Sequence, residues 1–186
     1  FLSFTRFINR ALKGLNFFVF PKFNFGSPST LRIELSSNCN LSCTLCPVGD
    51  GNLGRSQEFM KFDAFKKIID QADPKVISKI LPDIWGESLI HPQFVEMIEY
   101  IKNTNNYYKV YSASNGNIDP YKLDIKRLVN SGLTEIMVAI DNNNQEDYVK
   151  YRKKGSFDKV LTFIKELHRH KVNEKSKMQI NGLIIV

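Results

Sequence analysis

The sequence predicts an α/β fold in which parallel strands alternate with covering helices and curl in one sense towards a barrel. Two observations carry that expectation. From Leu31 onward, short apolar runs alternate with amphipathic stretches, strand then helix, four times over and then a fifth strand. Parallel connections of this kind are right-handed, which fixes the sense in which the sheet curls.

The strands are expected at 31–35, 76–84, 107–113, 134–140 and 178–186. Helices are expected between them. Residues 62–72 place Phe65, Ile68, Ile69 and Ala72 on one face, and residues 92–103 open on Pro92 and bury Val95, Ile98 and Ile101. Residues 120–130 stop before Gly132, and residues 157–170 start from a Ser156 cap and run through Val160, Phe163, Ile164 and Leu167. No internal repeat, low-complexity tract or linker follows Gly26-Ser27-Pro28.

Ahead of the first strand, residues 1–30 read as an amphipathic helix and a lead-in segment, and residues 31–186 as the main domain. Phe1, Phe4, Phe7, Ile8, Ala11, Leu12 and Leu15 recur at helical spacing, with Arg6, Arg10 and Lys13 among them. The plain expectation is a helix packed on the domain, with a membrane-surface helix as the alternative. The stretch lacks the uninterrupted apolar core and small-residue cleavage site of a signal peptide, and no run approaches the ~18 apolar residues of a membrane span.

Composition narrows the function classes. A chain of 186 residues that is 42% hydrophobic folds around a core. Its 26 Lys and Arg against 19 Asp and Glu give a net charge of +7, spread along the chain, so nucleic acid is not an expected partner. A basic surface also suits an acidic electron carrier. The three cysteines form no disulfide framework, and reduced thiols point to the cytoplasm. The apolar stretch Leu183 to Val186 has nothing after it to cover it, from which a fragment of a longer protein is expected.

The chemistry gathers at Cys39-x-x-x-Cys43-x-x-Cys46, directly after the first strand and followed by Pro47. Carboxyl ends of parallel strands are where reactive side chains collect in α/β folds. Closely spaced thiolates commonly hold a four-iron cluster, and three of them leave one iron corner open for a cofactor or substrate. Zinc competes, through an approach of His91, although structural zinc takes four ligands. An electron-relay cluster and three buried thiols are the remaining alternatives.

The stretch IELSSNCNLSCTLCP resembles the signature of the radical S-adenosylmethionine superfamily. Its CNLSCTLCP form is similar to the branch whose members often carry a cysteine-rich SPASM-type domain, with Leu45 where an aromatic is usual. Later strand ends are also similar to the family's. Trp85-Gly86-Glu87-Ser88 resembles its Gly-Gly-Glu segment, Ser114-Asn115-Gly116 its Thr-Asn-Gly, and Val138-Ala139-Ile140-Asp141 its Ser-Ile-Asp. Arg152, ahead of Gly155 and Phe157, looks like the family's arginine.

The resemblance implies a partial TIM-like (β/α)6 barrel with about five of its strands in this chain. It implies a 4Fe-4S cluster on Cys39, Cys43 and Cys46, and S-adenosylmethionine held by Gly86, Glu87, Ser114, Asn115, Asp141 and Arg152. Glu87 would receive the methionine ammonium, Asp141 and Asn115 the ribose, and Arg152 the methionine carboxylate. The implied activity is reductive cleavage of S-adenosylmethionine to a 5′-deoxyadenosyl radical. A reductant such as a flavodoxin or ferredoxin and a peptide or protein substrate are the implied partners.

Overall fold

Parallel strands β1 (Thr30–Arg32), β2 (Lys79–Leu81), β3 (Lys109–Ser114), β4 (Glu135–Ala139) and β5 (Gln179–Leu183) form one sheet in chain order. The computed structural model describes residues 2–18 and 27–184. The rest of the expected lead-in segment (19–26) and the end of the expected last strand (185–186) lie outside the described residues. Consecutive strands pair as nearest neighbours throughout, the topology of an opened barrel wound in a single direction.

The helices are α1 (Leu2–Phe18), α2 (Phe62–Gln71), α3 (Phe94–Thr104), α4 (Ile125–Asn130), α5 (Gln145–Tyr151) and α6 (Phe157–Asn173). One face of the sheet packs on them. Ile33, Ile80, Val110, Ile136 and Val138 meet Phe65 and Ile69 of α2, Met97, Ile98 and Ile101 of α3, Leu128 of α4 and Phe163 and Leu167 of α6. Each such side chain contributes about 1.5–3 kcal/mol by burial. The other face follows by alternation and carries Arg32, Glu34, Asp83, Tyr111, Glu135 and Met137.

Several boundaries differ from the sequence expectation for physical reasons. β2 shortens because Asp73 starts a turn that accepts the Val76 and Ile77 amides, and Pro82 cannot donate to the ladder. Where β2 stops, the Asp83 carboxylate takes over and accepts the Ala113 amide at 2.7 Å. α3 begins at Phe94 and not at Pro92, after a 3₁₀ turn at Ser88–Ile90. α4 starts five residues later than expected, at Ile125, behind Asp124, whose carboxylate caps the Arg127 amide at 2.8 Å. The cap at Ser156 forms as expected, accepting from the Lys159 amide at 3.3 Å.

Candidate functional site

The cysteine loop leaves β1 and crosses the carboxyl ends of the strands. It is tied at both flanks to distant chain. Asn38 O accepts from the Glu87 amide at 2.8 Å, while the Ser42 and Thr44 amides donate to Lys153 O and Tyr151 O at 3.1 and 2.9 Å. Cys43 is buried, and Cys39 and Cys46 are half-buried. Leu45, between them, adopts φ 68° and is 89% exposed, so the residue in the position usually aromatic projects outward from the loop.

All three thiols are free. Two of them receive N–H donors. Cys39 Sγ lies 3.5 Å from the Leu41 amide and 3.7 Å from Asn115 Nδ2, and Cys43 Sγ lies 3.6 Å from the Arg152 guanidinium. Burial pushes the Cys39 thiol up from its ordinary pKa, against the Leu41 amide, and pushes Cys43 up against the attraction of Arg152. Metal uptake by these thiols therefore releases protons.

This donor set fits an iron-sulfur cluster. Each thiolate takes a different iron of such a cluster, and N–H groups aimed at sulfur stabilise the anionic assembly. Among the described residues, no group of three or more His, Cys, Asp and Glu is gathered closely enough to hold a single metal ion. His91 gives zinc no support. Its Nδ1 accepts the Gln93 amide at 3.0 Å, which leaves Nε2 to donate to Met60 O at 2.9 Å, and both ring nitrogens are used by main chain.

Gly86 and Glu87 stand at the next strand end. Gly86 adopts φ +71°, and a Cβ there would meet Ser36 O at 2.5 Å and Asn38 O at 2.6 Å. The absence of a side chain at this glycine thus admits the backbone entering the cysteine loop. Glu87 is 2% exposed and accepts the Asn115 amide at 2.7 Å and the Leu89 amide at 3.1 Å. Burial pushes its carboxyl up to about 7, with the Asn115 and Leu89 amides, the Ser114 side chain and Arg152 working the other way.

A pH signature follows. In the unfolded chain the carboxyl titrates near 4.5, so between that pH and about 7 the folded form holds a proton that the unfolded form has lost. Stability of the cluster-free protein is expected to fall over that window, by on the order of 3 kcal/mol in all, and to level off above it. Urea titrations across the window should show this slope in the wild type and its loss in Glu87→Gln.

Ser114 Oγ accepts the Gly116 amide at 3.1 Å, and Asn115 Nδ2 reaches Asn40 Oδ1 at 2.8 Å besides Cys39. Asp141, at φ 53°, pairs with Arg152 at 2.5 Å, with both side chains largely buried. Two residues expected to meet different parts of one cofactor are therefore held together beside Cys43. The sequence reading missed Asn40, Asn117 and Tyr148. Asn40 Nδ2 donates to Asn117 O at 2.7 Å, and the buried Asn117 amide reaches the Tyr148 hydroxyl at 2.6 Å. The only advance signal was the polar character of the loop around Asn40.

A GTP 3′,8-cyclase of Clostridium perfringens is 26% identical over 156 residues, 83% of this chain and 46% of that protein. The chain spans about half the length of the curated relatives it matches. Among solved structures, anSMEcpe with bound AdoMet and the Kp18Cys peptide superposes with a TM-score of 0.65 at 22% identity, covering 86% of this chain and 44% of that one. Methylornithine synthase (PylB) gives 0.63 at 14%, covering 98% and 50%. These likenesses show the shared (β/α) barrel architecture. The family model described as Radical SAM superfamily matches residues 33–185, from the end of β1 through β5 with the cysteine loop inside it, and the chain belongs to that superfamily.

Proposed function

We propose that this chain is the cofactor-cleaving part of a radical S-adenosylmethionine enzyme. Enzymes of the superfamily use a 4Fe-4S cluster and S-adenosylmethionine, which together supply one-electron cleavage of the sulfonium C–S bond and a 5′-deoxyadenosyl radical that takes hydrogen from a substrate. The observation that carries the reading is the pairing of a three-thiol loop with a deeply buried carboxylate at the neighbouring strand end.

In this reading Cys39, Cys43 and Cys46 are the iron ligands. Glu87 receives the methionine ammonium, an interaction that draws its carboxyl back to the ionised form. Arg152 meets the methionine carboxylate, and Asp141 both orients that guanidinium and joins Asn115 in facing the ribose. Gly86 and Ser114 position the others, through the backbone at 36–38 and through Glu87. The polar sheet face with Arg32, Glu34 and Asp83 receives the substrate. There, the main chain of Trp85 and the guanidinium of Arg55 hold Glu34.

The relatives' printed names make a guanosine nucleotide the first substrate to test. The form of the cysteine loop supports a second reading, a peptide or protein substrate with a SPASM-type domain. A flavodoxin or ferredoxin in a reducing, cytoplasmic setting suits the three free thiols as electron source. None of the described helices is long and apolar enough to cross a membrane.

Anaerobically reconstituted full-length protein, given dithionite and S-adenosylmethionine, is expected to form methionine and 5′-deoxyadenosine in equal amounts. Protein that holds the cluster and forms neither would refute the reading and leave an electron-relay domain. Adding GTP or candidate peptides in parallel then ranks the substrates by the 5′-deoxyadenosine each draws out.

A further inference from the structure

α1 is a long element whose chemistry the site leaves unused, and its orientation is unusual. Its apolar side chains Phe4, Phe7, Ile8 and Leu12 recur at helical spacing and are 65%, 68%, 42% and 37% exposed. The domain is met from the other side of the helix. Asn9 exchanges two hydrogen bonds with Ser27, Nδ2 donating to its carbonyl at 2.9 Å and Oδ1 accepting its amide at 2.7 Å. Lys13 Nζ donates to Ser29 Oγ at 3.2 Å, and Arg10 and Lys13 line a polar cavity with Ser78 and Lys79.

A helix that only covers a domain buries its apolar stripe and leaves the polar one to water. α1 does the reverse, turning Asn9 and Lys13 inward and Phe4 and Phe7 outward. The alternative raised from the sequence thus has the better support. Charge chooses the partner. From Leu2 to Phe18 the charged residues are Arg6, Arg10 and Lys13, with no acid among them. A helix with an exposed aromatic and aliphatic stripe and only basic charge in its sequence matches a bilayer interface, where acyl chains take the first and anionic headgroups attract the second. An apolar protein partner would have no use for that uniform sign.

We propose that α1 is an in-plane membrane helix that seats this domain on a bilayer containing anionic lipid, with Phe4, Phe7, Ile8 and Leu12 among the acyl chains. Because the site lies at the strand carboxyl ends and α1 is bonded beside the amino ends of β1 and β2, the docked protein keeps its cofactor site turned towards solution.

Flotation of the full-length protein with vesicles of phosphatidylcholine alone, or of phosphatidylcholine mixed with phosphatidylglycerol, tests this. The wild type is expected to float with the mixed vesicles and to be released by added salt. Phe4→Ser with Phe7→Ser should weaken that partitioning at least about tenfold while leaving the far-ultraviolet circular dichroism unchanged. Phe7→Trp gives a second readout that does not need the double variant, a blue shift in emission with the mixed vesicles. A wild type that stays in the aqueous fraction with both preparations overturns the proposal, and so does flotation indifferent to phosphatidylglycerol or to the serine substitutions. Light scattering in which those substitutions split an oligomer of a protein that ignores vesicles would assign the face to a protein contact, which also overturns it.

Discussion

Cys43→Ala is expected to remove the iron-sulfur cluster and, with it, all formation of 5′-deoxyadenosine. Cys43 is the buried member of the trio, and its peptide is enclosed: a Cβ on Gly49 would lie 2.7 Å from the Cys43 nitrogen. No other cysteine exists in the chain to replace it. Two remaining thiolates cannot retain a four-iron cluster, and Arg152 loses the sulfur it faces at 3.6 Å. Iron and sulfide per chain should drop to near zero and the brown colour should vanish. Turnover should fall to background, a loss of at least about a thousandfold. The fold should survive, because the core lies on the helix side of the sheet. Circular dichroism close to wild type, beside the lost iron, separates a missing ligand from a collapsed protein. A variant that keeps its full iron content would remove Cys43 from the ligand set.

Gly86→Ala is expected to be the most damaging single methyl group in the chain. Two penalties coincide there. The residue's φ of +71° is one that side chains adopt at a cost, and the added carbon would overlap two carbonyl oxygens at 2.5 and 2.6 Å. Neither oxygen belongs to a flexible side chain. Relief requires moving the backbone at 36–38, which leads directly into Cys39, so stability and metal content should fall together. A destabilisation of at least about 3 kcal/mol is expected, a drop in melting temperature of roughly 10 °C. Gly51→Ala is the control. It shares a positive φ of 72° but meets nothing within 4 Å, so it should cost only about 1 kcal/mol and leave iron content unchanged.

The alternation of strands and helices was legible because apolar runs such as Thr134 to Ile140 and stripes such as Val95, Ile98 and Ile101 are local patterns. α5 was not legible. Its seven residues bury only Tyr148, and its start depends on the Asn144 side chain accepting from the Asp147 amide at 2.9 Å. β2 was overread because an apolar run cannot report that Val76 and Ile77 are committed to a turn. In the site, cysteine spacing is a sequence signal. The link from Asn40 through Asn115 and Asn117 to Tyr148 is not, since it joins residues brought together only by the finished sheet. Gly86 was readable as part of a family-like segment; that it is tight against the backbone at 36–38 was not.

The stitching of the cysteine loop to the β4–α6 connection sets an order of events for biogenesis. Thr44 Oγ1 donates to Lys150 O, a partner 106 positions further along, and the Arg152 that faces Cys43 comes later still. On the ribosome the thiols emerge long before the chain that will brace them has been made. A polypeptide ending before Lys150 is therefore expected to present the same three thiols without the main-chain partners that brace them here.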